Sequence, residues 1–560
     1  MQIHVPVPPG MESRLPQMFP VFDARQMEAA RRFGGEPTHY AAGEQVAALG
    51  SHGAGMYLIL EGTLDVVRRD ALGTESLVVS HSPGQFSGEL NHLSGRASLA
   101  ALRAGPEGCQ VVPYTSAQAR GLIIGNAQLG EIIMRAFILR RVALIQGAAG
   151  GTVLIGHARD PEVAKLETFF QRNGYPHITL DPDNQDAHLF VQQFQVVEAD
   201  LPMVITPDGT VLKKPTEENV ACEVGLADDL DETKLYDVAI VGTGPAGLAT
   251  AVYAASEGLS VITFDARYFG GQAAASARIE NYLGFPTGIT GQALMGRAFA
   301  QATKFGAETA IPFTVKSIRC GGSDRSLATP VELDVRYGSD YRFTMKSRTL
   351  VIASGARYRR LSDERITQFD GRGVYYWASQ VEASQCAKQE VVLVGGGNSA
   401  GQAAVFLADH VDRLHMVVRR PLADTMSRYL IDRIQAQSNV TLHVGCEVAR
   451  LEGTPSTGLE AVVWRSKARD GETVQATKHL FSFIGAEPNT DWLEGCDVEV
   501  DANGFVCTGN GKNPAWTLQT NIPGVFAIGD VRAGSVKRVA AAVGEGAAVV
   551  AQIHQVLATK

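Results

Sequence analysis

Two short glycine runs in this chain are placed where a folded protein handles phosphate. Tyr236-Asp-Val-Ala-Ile-Val241 is a strand of the buried kind. It runs into Gly242-Thr-Gly244-Pro245-Ala246-Gly247 and then a small-residue helix, Leu248 to Ser256. This is G-x-G-x-x-G in strand–turn–helix context. The glycines allow the tight turn, the close approach of a pyrophosphate and close helix packing, and the helix N-terminus attracts the phosphates. The next strand, Leu259-Ser-Val-Ile-Thr-Phe264, ends in Asp265. That is about 20 residues on, where a carboxylate bonds the ribose hydroxyls of a dinucleotide. In the second run Gln389-Glu-Val-Val-Leu-Val394 leads into Gly395-Gly-Gly397-Asn398-Ser399-Ala400, a G-x-G-x-x-A that opens an Ala-rich helix. The strand after it, Leu414-His-Met-Val-Val418, ends in Arg419-Arg420 and not in an acid. Guanidinium suits a 2′-phosphate that a carboxylate would repel, so the second site reads as one for NADPH. The alternative is a solvated basic pair beside an NAD site.

The rest of the chain must position these loops. Its 560 residues suggest about three to five domains. Hydrophobic residues at 45% and charged residues at 19% exclude whole-chain disorder. Lys plus Arg total 50 against 59 Asp plus Glu, a net charge of -9, which argues against a broad polyanion-binding surface. The 7 cysteines include no C-x-x-C pair and fit reduced thiols in a cytoplasm. The start lacks a basic stretch followed by an apolar one, and no run of about 18 apolar residues occurs, so neither a signal peptide nor a membrane span is expected. The 13 histidines are scattered, and His410 and His415 lack a third ligand, so no metal site is expected.

Residues 1–147 read as short strands with glycine turns, a small barrel or jelly roll, closed by a helix from Leu129 to Gln146. The segment Met56 to Val67 reads as strand broken by a Glu61-Gly62 turn. Residues 151–227 read as a compact α/β unit, with Glu162 to Asn173 as its amphipathic helix. From 235 onward strand and helix signals alternate around the two glycine loops, as two Rossmann-like domains require.

Residues 235–560 resemble the thioredoxin reductase family. The resemblance rests on GTGPAGLA (242–249), Gly270-Gly271-Gln272, Glu280-Asn281-Tyr-Leu-Gly-Phe-Pro286, Ile352-Ala-Ser-Gly355-Ala356, VVLVGGGNSA (391–400), Phe483-Ile-Gly485 with Pro488-Asn489, and Gly524-Val-Phe-Ala-Ile-Gly529-Asp530 followed by Lys537-Arg538-Val539-Ala540 and Gly544-Glu-Gly546. It implies an FAD domain from 235–357 and 485–560, an NADPH domain inserted at 358–484, and a homodimer. By the resemblance Gly271, Gln272, Asn281 and Gly355 belong to the flavin site. Gly529 and Asp530 approach the ribitol, and the backbone at Arg538-Val539 approaches the pyrimidine end from a helix N-terminus.

The family's redox cysteines belong after a Gly-Val-x-Tyr stretch. Here Gly373-Val-Tyr-Tyr376 is followed by Trp377-Ala-Ser-Gln380, so Trp377 and Gln380 occupy both cysteine positions. Val381 stands where the family has an acid, Glu382 is one place late, and Cys386 has no partner nearby in sequence. Without two thiols no local dithiol can carry electrons. Trp377 is read either as an aromatic lid on the flavin or nicotinamide, or as core packing.

Residues 151–227 resemble a thioredoxin-like domain. Leu201-Pro202 falls at that family's cis-proline, and Gly156-His157-Ala-Arg159-Asp160 stands where its cysteine motif is missing. His157 or Arg159 is a candidate ligand group; a docking or spacer module is the alternative. Residues 38–145 resemble a cyclic-nucleotide-binding domain through Tyr57-Leu-Ile-Leu-Glu-Gly62 and Pro83-Gly-Gln-Phe86 with Gly88-Glu89-Leu90. In that family the Glu holds the ribose and an Arg nine residues on pairs with the phosphate. Here Ser98 stands at that place. Arg96 reaches it with a two-residue deletion, and Arg103 lies further on. A degenerate or repurposed sensor pocket is expected, with cyclic-nucleotide binding as the alternative. No helix-turn-helix follows, so DNA is not an expected partner.

These readings converge on a multidomain, cytoplasmic, FAD- and NADPH-dependent oxidoreductase. Hydride would pass from NADPH to the flavin and on to an external acceptor: a ferredoxin or flavodoxin, a quinone, or a small disulfide. The rival is a flavin or nucleotide sensor with little turnover.

Overall fold

In the computed structural model the described residues are 2–3, 11–51, 55–70, 72–94, 98, 100–146, 151–157, 160–226, 230–338, 341–361, 366–370, 373–454, 457–466, 471–509 and 516–558. Residues 147–150 and 227–229, at the two expected domain boundaries, lie outside them, as do Arg96 and Arg159.

The N-terminal domain is a six-stranded antiparallel sheet dominated by two long partners, Met56–Arg69 and Ala101–Tyr114. The expected turn at Glu61-Gly62 is a bulge within one continuous strand, with register shifts at Ile59/Glu61 and Gly62/Leu64. Both flanks pair with the same neighbour, so the chain cannot reverse there. Gly62 takes φ +69°, and a Cβ would sit 2.0 Å from the Gly108 carbonyl. Helices Ser116–Gly125 and Ala127–Gln146 follow. From the second, buried Arg140 donates to the carbonyls of Met18, Phe86 and Gly88 at 2.8–3.0 Å, tying the N-terminal segment to the stretch just before Glu89.

The middle unit has four strands in the order Val211–Lys213, Met203–Ile205, Thr152–Ile155, His177–Leu180, with the last pair parallel and the rest antiparallel. Val163, Leu166, Phe169 and Phe170 of the helix Pro161–Arg172 form its core with Leu154 and Val204. The Leu201–Pro202 peptide is cis.

A seven-stranded sheet carries the first glycine loop. Leu235–Val241 lies between Val261–Phe264 and Tyr341–Ile352, parallel to both, and Val525–Ala527 adds in parallel beyond. The helix Val539–Ala558 is long and apolar enough to cross a membrane by length and composition. It packs on Pro245–Ser256, close enough that a Cβ on Gly546 would lie 2.5 Å from the Ala246 carbonyl. The second loop belongs to a five-stranded parallel sheet in which Glu390–Val394 pairs with Arg413–Val418 and Leu480–Ser482. A short antiparallel ribbon, Ala356–Tyr358 with Ala486–Pro488, stands where the chain leaves and re-enters the first sheet's domain. Each sheet thus places its glycine loop at the C-terminal ends of parallel strands, where α/β folds bind ligands.

The N-terminal domain and the middle unit both rest on the first glycine-loop domain. Ala300 of the helix Gly291–Lys304 is buried in the N-terminal core. Arg267 pairs with Glu217 of the middle unit, and the Tyr337 hydroxyl donates to the Glu218 carbonyl at 2.8 Å.

Candidate functional site: a cavity between the two glycine loops

A cavity of about 880 Å³ lies between the two sheets. Its floor is the first loop. Gly242 turns with φ +108°, and a Cβ there would meet the Ala353 carbonyl at 2.2 Å. Gly247 presses on the Gly242 carbonyl and lies behind the cavity wall, while Gly244, Pro245 and Ala246 line it. The position a Cβ of Gly244 would take is open to 4 Å, and Gly244 is the N-cap of Pro245–Ser256. An open backbone cradle at a helix N-terminus suits a diphosphate. Asp265 lines the cavity but is also the clamp of the loop. Its Oδ2 accepts from the Thr243 amide (3.0 Å) and hydroxyl (2.7 Å). Burial pushes its carboxyl above the usual range, offset by those bonds.

Gly271, Gln272, Asn281, Gly355, Gly529, Asp530, Arg538 and Val539 also line the cavity, although they come from three separated stretches of chain, 271–281, 355 and 529–539. The Gln272 amide donates to the Ala356 carbonyl. The Gly529 amide donates to Glu545 at 2.6 Å, which fixes the turn bearing Asp530. Asp530 is pushed up by burial, with Lys537 opposing and Glu545 adding to the effect. Arg538 precedes the helix Val539–Ala558, so that helix N-terminus opens on the cavity.

From the second loop Asn398 and Ser399 reach the same cavity, which Tyr358 also lines. Gly395, Gly397 and Ala400 lie behind them. Asn398 Oδ1 accepts from the Ser427 amide at 2.7 Å. Arg419 and Arg420 are exposed just beyond Arg413–Val418 and do not line the cavity. They stand at the back of the second loop, where a Cβ on Gly396 would lie 3.7 Å from Val418 Cγ1. Neither has an ion-pair partner among the described residues. Two unpaired guanidinium groups beside a glycine loop fit a phosphorylated ribose.

Trp377 lines the cavity and belongs to no apolar core cluster. Its Nε1 donates to Glu382 Oε1 at 2.7 Å, and Glu382 Oε2 accepts from the Ser379 amide (2.9 Å) and hydroxyl. Gln380 begins the helix Gln380–Gln385; its side chain lies outside the described residues. No cysteine lines the cavity. Cys386 is fully buried, and its thiol is pushed up to about 12, chiefly by burial.

Several groups escaped the sequence reading. Arg172 of the middle unit lines this cavity. Cys320 and Cys496 are neighbours at the core of the first glycine-loop domain, and their mutual interaction raises the Cys320 thiol and lowers that of Cys496. His157, the candidate ligand group of the middle unit in the sequence, is instead paired with Glu198 (3.1 Å) and Asp181 (3.5 Å), and the Glu198 bond raises its pKa.

In the N-terminal domain Gly88 takes φ +107° and Leu90 is buried. Glu89 is 7% exposed; its Oε2 accepts from Arg141 at 3.3 Å, while Oε1 has no partner. Ser98 donates to the Ala100 carbonyl at 2.7 Å. Arg103 forms a two-point pair with Glu75 (2.6 and 2.7 Å).

Comparison with known proteins follows the same division. Residues 236–546 match the family described as pyridine nucleotide-disulphide oxidoreductase, and 37–123 match the cyclic nucleotide-binding domain. A protein named NADPH-dependent thioredoxin reductase 3, from Arabidopsis thaliana, is 32% identical over 328 residues, 56% of this chain and 56% of that relative. The thioredoxin reductase of Listeria monocytogenes is 30% identical over 317 residues, 56% of this chain and 92% of that protein. Among solved structures, thioredoxin reductase from T. acidophilum aligns with TM-score 0.52 and 26% identity, covering 58% of this chain and 99% of that one. The Lactococcus lactis enzyme, in its FR conformation, gives 0.51 and 25% over 58% and 100%.

Proposed function

Because the chain belongs to the pyridine nucleotide-disulphide oxidoreductase family, we propose that it uses FAD to take hydride from NADPH and passes the electrons directly to an external acceptor, with no internal dithiol. It is a thioredoxin reductase-like FAD/NADPH oxidoreductase with an N-terminal cyclic-nucleotide-binding domain. The direct transfer rests on one observation: Trp377, held by Glu382, forms the cavity wall where the relay would stand, and no thiol faces that cavity.

The chain's own residues divide the work. Gly244 and the N-terminus of Pro245–Ser256 cradle the FAD diphosphate, and Asp265 holds that loop and faces the ribose. Gln272, Asn281, Asp530 and the helix N-terminus behind Arg538-Val539 line the flavin end. Asn398 and Ser399 present NADPH to the same cavity, and Arg419-Arg420 take its 2′-phosphate. We assign 235–357 with 485–560 to FAD, 358–484 to NADPH, 151–227 to a thioredoxin-like docking module and 1–147 to the cyclic-nucleotide-binding-like domain. A cytoplasmic homodimer completes the reading. The acceptor is a ferredoxin or flavodoxin, a quinone or another small oxidant.

A second reading, a regulatory sensor with little turnover, draws on one contact. Arg141 bridges Glu89 and the Asn173 carbonyl (3.5 Å), joining the N-terminal pocket to the middle unit. Anaerobic NADPH should bleach the bound FAD, and ferricyanide or a quinone should then sustain NADPH oxidation. Thioredoxin and dithionitrobenzoate should not. Bleaching without turnover on any acceptor favours the sensor; rapid dithionitrobenzoate reduction refutes direct transfer.

A further inference from the structure

Arg172 ends the helix Pro161–Arg172 of the middle unit, yet its side chain lines the cavity between the glycine loops. It is 9% exposed. Its guanidinium carbon lies 4.5 Å from the Tyr268 ring centroid and 5.4 Å from that of Trp377, so it touches one residue from each glycine-loop domain. The backbone around it is anchored. Gln292 donates to the Arg172 carbonyl at 3.2 Å, and the Asn173 amide group donates to the Arg267 carbonyl at 3.0 Å. Nearby Arg267 is neutralised by Glu217. Arg172 is not: among the described residues its side chain has neither a carboxylate nor a hydrogen-bond acceptor.

A buried cation without an anion is costly, and two aromatic faces offset only part of that cost. The missing partner is therefore a ligand group. Its place narrows its chemistry. Tyr268 stands just before Gly270-Gly271, and a Cβ on Gly271 would lie 3.1 Å from Gly244 Cα. Arg172 is thus carried to the flank of the first phosphate-binding loop.

We propose that Arg172 is an anion-binding residue of this cavity, supplied by the middle unit, and that it takes a phosphate oxygen of the dinucleotide bound there. This rests on the reading of the cavity as a dinucleotide site. The phosphate belongs either to FAD or to NADPH, and the chemistry is the same: a planar guanidinium donating to a phosphate oxygen.

The test uses the full-length protein with Arg172→Met, which keeps bulk and loses charge, and Arg172→Lys, which keeps charge. One arm measures the Kd of FAD by flavin fluorescence on rebinding to stripped protein. The other measures the Kd of NADPH on FAD-loaded protein. We expect Arg172→Met to weaken one of the two by on the order of tenfold or more, and Arg172→Lys by no more than about threefold. Loss in the FAD arm assigns the FAD diphosphate; loss in the NADPH arm assigns the NADPH phosphates. If Arg172→Met leaves both affinities unchanged, or if both variants lose affinity equally, the proposal is overturned. Wild-type protein that takes up neither nucleotide refutes the cavity reading, and the proposal falls with it; that outcome is read before any variant is made.

Discussion

Replacing Arg419 and Arg420 together by Ala should separate NADPH from NADH. Both side chains are exposed beyond Arg413–Val418 and have no carboxylate to give up among the described residues. Their bonds to a 2′-phosphate would therefore be gained without breaking others. A hydrogen bond to a charged group contributes ~1.5–3 kcal/mol, and in a solvated site the lower figure is the better guide. One such bond per guanidinium gives ~3 kcal/mol, on the order of 100-fold in Kd. Arg428, a few residues on, offers little reserve, because its Nε already pairs with Asp432 one helical turn further, at 2.8 Å. Stopped-flow titration of the reduced-flavin signal with each nucleotide measures the effect. NADPH should weaken by that factor while NADH moves by less than about threefold, since NADH offers no 2′-phosphate for either arginine. Equal losses for both nucleotides would show that the pair supports the fold of the loop and reads no phosphate.

Cyclic AMP and cyclic GMP should bind the full-length chain weakly or not at all, because Ser98 is committed to the Ala100 carbonyl and Arg103 to Glu75, while Arg141 holds Glu89. Calorimetry showing micromolar binding would contradict this. The Cys386 thiol, raised from an ordinary 9.0 to about 12 by burial, should resist iodoacetamide at pH 8 until the chain unfolds. Its protonated form favours the fold; that contribution is whole below pH 9.0 and is lost as pH climbs toward about 12. Fast native labelling, or loss of ferricyanide turnover in Cys386→Ser, would restore a thiol step.

What the sequence reveals here is local. Each glycine loop announces itself because the turn, the strand before it and the helix after it are contiguous, and the family motifs bring Gln272, Asn281, Asp530 and Val539 to one cavity through a fold already implied. What it hides depends on contacts made across the chain. The helix Pro161–Arg172 reads as an ordinary amphipathic helix; only docking shows that its last residue enters a cavity built by other domains. Cys320 and Cys496 meet because a strand end packs on a distant loop, so spacing could not flag them. Glu382, one place late for the family's acid, proves to serve the tryptophan instead. The Glu61-Gly62 pair has turn chemistry, yet continuous pairing with Ala101–Tyr114 makes it a bulge. Asp265 shows a subtler limit. The fingerprint places it correctly beside the loop, but the side chain also spends one oxygen on Thr243.

Trp377 carries the decision between a lid and a packed remnant. A remnant side chain would sink into the nearest apolar core, and Trp377 joins none. Its polar edge is held by a carboxylate that is itself 5% exposed and takes two further bonds from Ser379. Burying that carboxylate is tolerable only while its donors are present, so the tryptophan, the serine and the glutamate stabilise one another as a unit. The indole face meets the Arg172 guanidinium, and the same ring lines the cavity. The position is therefore over-determined on its edge and its face, which fixes the ring as a wall. An indole in that place offers no atom able to accept and release an electron pair as a disulfide does. On the proposed direct transfer, the electrons would therefore leave the flavin for a molecule that is not part of this wall.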